Sequence, residues 1–437
     1  MKSWLAGLIA LIVVTVREAQ RQRLWALFLG GMATLVILAP SLKAVDQADR
    51  LKLAIVAQSG VAGFVVVLLA ILLPAAALRR DLESRVGFML FSKPLARSAY
   101  LIGRWSGVQF VLLIGALFLC LIGTATIAWQ FGGIPSVRRV IAADRWEQVS
   151  AFGQDIPITE DRRRVTLNGL PGGGVRWYLS GLPASDREHE VLIKVRLRGY
   201  DIDDTVSDLE VQVSAAPDVA SLRRSPQVLA LDPASPYGHQ RGGALVAKGR
   251  AVVRDREAGR TDLAADYVRL RLPLACVLDG STVIQLNRLE PRAALVAERT
   301  GSCLVAVPGG SFFGNLSRGA LVQLAGAGLL AAWALLLACV ASLGVAFLGG
   351  LTLFIGGAAL PAVREVLSYD DSSLAARRIM ELMLTVFPDF DRFGAAPRLA
   401  AGQEVPWSAV GDAWLHALFY IILFLGVAWW SLRRKEL

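Results

Sequence analysis

Between Gly319 and Val363 the chain carries no Asp, Glu, Lys or Arg. As one helix this stretch would run roughly 65 Å, about twice the hydrocarbon thickness of a bilayer. It is too long for one crossing, so the spacing predicts two membrane helices that fold back near Ser342–Gly344. Four further apolar runs read as crossings: 24–39, stopped by Pro40, then 53–78, 105–129 and 414–432. The last ends in Trp429 and Trp430 followed by Arg433, Arg434 and Lys435, an aromatic belt with a basic anchor. With 54% hydrophobic and 19% charged residues, the composition agrees with a polytopic helical membrane protein of six transmembrane helices.

The first 23 residues are treated apart. Lys2 precedes an apolar run from Trp4 to Val16, and Arg17, Arg21 and Arg23 follow. The run is shorter than the roughly 20 residues a crossing needs, and no small-residue cleavage site follows it. We expect an interfacial helix on the cytoplasmic leaflet; a short true span and an uncleaved signal are the alternatives. Basic residues concentrate in 1–23, in the loop 79–104 and at the C-terminus, whereas 43–52 and 364–413 carry slightly more acids than bases. The positive-inside rule then puts both termini and the loop 79–104 in the cytoplasm, and the expected location is a cell's inner membrane.

Residues 130–318 differ in kind. Short alternating runs such as EVLIKVRLRGY, DLEVQVSA and DYVRLRLPLACV are punctuated by Gly, Pro, Asp and Asn. Period-2 alternation with this spacing predicts an antiparallel β-sandwich-like domain, inserted between the third and fourth spans and extracytoplasmic. In one run Val191, Ile193, Val195 and Leu197 share a face, opposite Lys194, Arg196 and Arg198. Cys276 and Cys303 lie in this domain, while Cys120 and Cys339 lie in apolar runs. In an oxidising compartment the first pair forms a disulfide or remains two buried thiols on separate strands. The domains are therefore 1–23, 24–129, 130–318 and 319–437, the last with an outer segment 364–413.

Catalytic signatures are missing from the sequence. The string GGALVAKG (242–249) lacks the Walker glycine, with Ala247 in its place, and reads as a strand. The three histidines have no metal-ligand spacing; His189 reads as a solvated loop residue and His416 as a helix-packing one. No catalytic or metal site is expected, and no cofactor in this chain. The net charge of +10 is explained by topology, since no basic run or zinc-finger spacing accompanies it, so no nucleic-acid partner is expected. Ionisable residues are scarce in the spans, which argues against an ion or proton pathway. Gln58, Gln109, Gln323 and His416 are the polar candidates there, either for a translocation path or as helix–helix glue.

The loop 79–104 reads RRDLESRVGFMLFSKPLARSAYLIGR. As a helix over 81–92, it places Leu82, Val86, Met89 and Leu90 on one face, pairs Asp81 with Arg85 at i, i+4, and stops at Pro94. Such a helix either lies on lipid headgroups or docks into a cytoplasmic partner.

Residues carrying a resemblance are Arg80–Asp81, Glu83, Phe91–Pro94, Arg97 and Gly103–Arg104, in that order ahead of the third span. This loop resembles that of ABC transporter permeases of the type-2 exporter class, closest to the multicopper-enzyme-maturation permease branch. TVREAQRQRLW (15–25) is similar to the family's N-terminal elbow, LTVFPDFDRFG (384–394) to its outer segment, and WWSLRRKEL to its basic tail. Arg104 departs from the family's usual Lys, and Val86–Gly87 from a more polar pair. The resemblance covers roughly 1–130 and 319–437 and leaves out the β domain.

It implies a non-catalytic permease subunit whose partner, a separate ABC ATPase, binds ATP and Mg. A second permease copy or paralogue and the membrane lipid are further implied partners. The residues that would contact the ATPase are Arg79, Arg80, Asp81, Glu83, Arg85, Phe88, Met89, Lys93, Pro94 and Arg97. The β domain would capture substrate or an extracytoplasmic partner, act as a cap, or itself be moved by the ATPase. A membrane-anchored scaffold or sensor acting through the β domain without transport is the competing class.

Overall fold

The structure is a computed structural model that describes residues 2–21, 26, 28–31, 33–34, 47–83, 97–152, 154–158, 164–167, 173–183, 188–193, 196–200, 208–231, 238–241, 244–248, 250–255, 260–264, 268–289, 293–298, 302–367, 378 and 387–434. The chain forms two compact units, Met1–Val137 with Gly310–Leu437, and Arg138–Gly309.

The first unit is helical. Before the insertion the described residues include the helices α1 (Lys2–Arg21), α2 (Gln47–Glu83) and α3 (Arg97–Phe131). The short helix α4 (Val219–Arg224) belongs to the second unit. After the insertion come α5 (Phe312–Val340), α6 (Leu343–Ala358), α7 (Leu360–Leu367), α8 (Ala396–Ala400) and α9 (Trp407–Arg434). Four of these, α2 from Arg50 onward, α3, α5 and α9, are long and apolar enough to cross a membrane. Among the described residues that is four of the six expected. The expected span 24–39 falls mostly outside the described residues. The expected fifth span is α6, whose 16 residues would reach only about 24 Å.

The charge-free stretch breaks where α5 stops at Val340. Ala341 and Ser342 take extended backbone, and Ser342 is the N-cap of α6. A short polar residue is favoured at that position. α5 is the central helix of the unit: Leu329, Leu330, Ala331, Ala332, Ala334 and Leu335 are all fully buried. A helix apolar all round is satisfied only by burial on every side or by lipid, and α2, α3 and α9 pack around this one. Glycines set the close approaches. A Cβ at Gly319 would meet Leu399, and one at Gly326 would meet Phe393, each within 3 Å.

The second unit holds three antiparallel sheets among the described residues. The first runs in spatial order Arg138–Ala142, Cys303–Pro308, His189–Ile193, Val268–Leu272, Ala230–Leu231. The second runs Gly238–Arg241, Ala244–Lys248, Asp208–Ala216, Thr282–Arg288, Gly174–Leu179, Arg145–Val149, Asp155–Pro157, with Gln227–Val228 beside Asp208–Ala216. The third holds Arg250–Asp255, Arg260–Ala264, Arg196–Tyr200, Ala293–Glu298 and Arg164–Leu167.

The first two sheets share one core. Val191, Ile193, Leu270, Val305 and Val307 come from one, and Trp146, Val175, Trp177, Val213, Ile284 and Leu286 from the other. Alternate residues of each strand supply this face, which is how period 2 builds a sandwich. The run EVLIKVRLRGY does not stay in one sheet: His189–Ile193 joins the first and Arg196–Tyr200 the third. His189, expected as a solvated loop residue, is a strand residue opposite Leu272 and 4% exposed. The unit's first and last strands are partners, with Arg138 opposite Pro308 and Ala142 opposite Leu304.

Candidate functional site: the base of the loop joining α2 and α3

The helix α2 continues through Glu83 and α3 begins at Arg97, so both ends of the loop 79–104 are helical. The side chain of Arg104, about two turns into α3, is 3% exposed. Its guanidinium donates through Nη2 to Asp81 Oδ2 of α2, through Nη1 to Glu18 Oε2 of α1 at 2.5 Å, and to Thr15 Oγ1 at 3.2 Å. The Tyr100 hydroxyl donates to the same Asp81 oxygen at 2.5 Å. Tyr100 and Arg104 sit at i, i+4 on one face of α3, which lets both reach one carboxylate.

Helix α1 is seated by small residues. A Cβ at Gly103 would lie 2.9 Å from Leu11, and one at Gly107 would lie 2.7 Å from Thr15. Leu11, Thr15 and Ala19 form the buried stripe of α1, while Ile9, Val13 and Val14 are exposed. The expected interfacial helix thus has one face against α3 and one apolar face left open.

At the same end of α3, Arg97 Nη1 donates to the carbonyls of Leu432 at 3.0 Å and Arg433 at 3.1 Å. These are orphan carbonyls of the last turn of α9, where a cation is favoured by the helix dipole. One cluster of ionic contacts therefore ties α1, α2 and α3 together, and two hydrogen bonds from Arg97 tie α3 to the end of α9.

The residues expected to contact a partner divide accordingly. Asp81 is turned inward and 6% exposed; it bonds Arg104 and Tyr100, so it is not available as a surface contact. The physical reason is the continuation of α2, which carries Asp81 onto the face of α3. Glu83 is exposed and pairs with Arg79 at 3.0 Å on the same helix, and Arg80 is exposed. Arg85, Phe88, Met89, Lys93 and Pro94 lie outside the described residues, as does most of the expected helix 81–92.

The polar candidates sit at helix seams. Gln58 of α2 is 5% exposed and lies against Gly123 of α3; Gln109 of α3 is 8% exposed and lies against Gly328 of α5. Among the described residues neither amide has a hydrogen-bond partner. Gln323 of α5 points its Nε2 at the Ser59 carbonyl, 3.5 Å away, and lies over Gly63. His416 of α9 sits beside Phe393, tilted, and Tyr420, edge-to-face, with ring centroids 5.8 and 5.3 Å away.

In the second unit Cys276 and Cys303 are buried thiols not joined by a disulfide, and Cys120 and Cys339 in the first are buried and likewise not disulfide-bonded. Cys276 donates to Gln227 Oε1 at 3.0 Å, and burial pushes the Cys276 and Cys303 thiols up from their ordinary pKa. A polar cluster lies on the second sheet. Arg176, its side chain 3% exposed, donates to Asp155 at 2.8 Å and to Gln285 Oε1, while the Tyr178 hydroxyl donates to Glu147 at 2.5 Å. Partial burial and the bond to Glu147 raise the Tyr178 hydroxyl above its usual pKa. Every charge there is matched, so the cluster reads as a structural tie. No group of three or more metal-ligating side chains occurs among the described residues.

Glu18, Thr15 and Tyr100 were not among the residues singled out from sequence. The signal that points to them is Tyr100 and Arg104 at i, i+4 with Gly103 and Gly107 between and beyond them. No protein-family model, curated protein or solved structure matches the chain. The class defined by its own features is a helical membrane protein carrying a β domain.

Proposed function

We propose that the chain is the permease subunit of an ATP-binding-cassette transporter. It would couple ATP hydrolysis in a separate subunit to substrate export or to movement of the β domain. The observation that carries this reading is the Asp81–Arg104–Glu18 cluster, which fastens three helices at the base of the loop 79–104. A push on that loop is delivered to α1, α2 and α3 together, because pulling the carboxylates of Glu18 and Asp81 off the buried Arg104 guanidinium would leave that charge unpaired. Arg97 extends the linkage to the end of α9.

Arg79, Arg80 and Glu83 remain at the surface as partner contacts. In this reading the chain has no catalytic residue, the partner supplies ATP and Mg, and two permease copies or paralogues assemble in an inner membrane. Both termini and the loop face the cytoplasm, and the β domain lies outside.

The test is purification of the whole protein from its native membrane in mild detergent, with mass spectrometry of what accompanies it. The expected result is an ATPase subunit with the wild type that is lost with Glu83→Arg, a surface substitution that leaves the thermal midpoint unchanged. No ATPase with either protein would overturn the proposal in favour of the scaffold or sensor reading.

A further inference from the structure

A cleft of about 390 Å³ opens in the first unit between α5, the 3-10 turn Phe390–Phe393, α8 and α9. Its floor is apolar and small: Val322, Ala395, Val405 and Ala413, each no more than 3% exposed. Its rim is charged and exposed: Asp391, Arg392, Arg398 and Asp412. Arg392 leans toward Asp389 at 3.6 Å. Asp391, Arg398 and Asp412 make no ion pair with any described residue.

The walls are fixed independently of any occupant. Asn315 donates to the Gln403 carbonyl at 2.9 Å and accepts from the Val405 amide at 2.7 Å, and Arg318 pairs with Glu404. Two cations and two anions on one rim suit a ligand that carries both signs.

The rim continues into an exposed apolar stripe. Asp412, Leu415, Phe419 and Ile422 follow one another at i, i+3, i+7 and i+10 on α9, so they share a face. Leu415, Phe419 and Ile422 are 73%, 67% and 70% exposed. Trp407 begins α9 and Trp429 lies near its end, both exposed. Their separation along the axis is about 33 Å, close to the hydrocarbon thickness that tryptophan belts bracket. Asp412 lies about 8 Å inside Trp407 along that axis.

We infer that this cleft binds the headgroup of a zwitterionic phospholipid bearing a phosphate and a primary ammonium, with an acyl chain along the stripe. Arg392 and Arg398 take the phosphate, since a guanidinium matches phosphate oxygens in a fork. Asp391 and Asp412 take the ammonium. An anionic lipid satisfies the arginines and leaves the two carboxylates facing like charge. A soluble zwitterion fills the cleft and leaves the stripe uncovered. The inference is separate from the transport proposal and does not depend on an ATPase.

The test uses the full chain, delipidated in detergent, titrated with phosphatidylethanolamine or phosphatidylglycerol and read by native mass spectrometry. The expected result is roughly tenfold tighter binding of phosphatidylethanolamine, as one retained charged hydrogen bond provides. Arg398→Gln with Asp412→Asn abolishes the preference, and Arg398→Lys with Asp412→Glu retains part of it. Both positions are exposed, so a thermal melt serves to show that the variants fold. Equal binding of the two lipids, or a preference that survives the double substitution, overturns the inference. Displacement of the lipid by an equal concentration of free phosphoethanolamine overturns it too, by assigning the cleft to a soluble ligand.

Discussion

Replacing Asp81 with Ala should be among the costliest single changes in the helical unit. The side chain of Arg104 is 3% exposed, and those of its carboxylate partners Asp81 and Glu18 are 9% and 23% exposed. Breaking a buried pair by removing one partner costs about 3–5 kcal/mol, because the other charge stays buried without it. Glu18 remains to share the guanidinium, which puts the ionic loss near the lower end of that range. The Tyr100 hydroxyl also loses its acceptor, adding about 1 kcal/mol. The total is about 4 kcal/mol, or roughly 10 °C in thermal midpoint for a unit of this size.

The assay is thermal unfolding of the detergent-solubilised protein, alongside Arg104→Met and the paired replacement Asp81→Leu with Arg104→Met. The paired replacement should recover most of the loss, since apolar groups of similar volume substitute well for a buried ion pair. An Asp81→Ala protein as stable as the wild type would refute the reasoning. So would a paired variant less stable than either single one, because the cluster would then contribute more than mutual charge compensation.

Two further expectations follow from packing and capping. Gly115→Ala would place a Cβ 2.0 Å from the ring of Phe28, itself 1% exposed, and should destabilise by about 1–3 kcal/mol, with Phe28→Leu restoring part of it in the same melt. Asp218 caps α4 by accepting from the Ser221 amide at 2.6 Å, and that bond holds its carboxyl below the usual range. A depressed native pKa means the cap stabilises above the unfolded carboxylate range and is lost as pH falls through the lowered value. Hydrogen exchange at Ser221 should therefore lose protection in acid, and protection unchanged by Asp218→Ala would contradict it.

The long apolar helices are legible because lipid leaves few alternatives: a charge-free run must be helical, and its length states how often it must turn back. The break at Ala341–Ser342 falls close to the expected fold-back for that reason. Alternation in residues 130–318 likewise shows in the strands, since period 2 is a local property. What escapes is which strands pair. EVLIKVRLRGY keeps one period-2 apolar row from Val191 to Leu197, yet its two halves serve different sheets, because sheet membership is decided by strands far away in sequence. His189 escapes similarly: a charged neighbourhood, SDREHEV, hides the first residue of a buried strand.

The cluster around Arg104 is the clearest case. Asp81 sits among Arg79, Arg80 and Glu83 and reads as surface by its company. Its burial depends on Arg104 and Tyr100, which are distant in sequence and reach it only through helix packing. Gln58 and Gln109 were legible as polar residues in apolar runs, but the glycines they face lie on other helices.

The pairing of Arg138–Ala142 with Cys303–Pro308 gives the insertion the form of a cassette. Chain entry and exit are opposite residues of one ladder, about 5 Å apart, so the whole β unit occupies no more of the parent topology than a tight hairpin would. A helical ancestor could have acquired it at a single loop, and a descendant could shed it, without redrawing a single helix. Whatever the β unit undergoes, the rest of the chain is covalently informed of it through that one two-stranded stem.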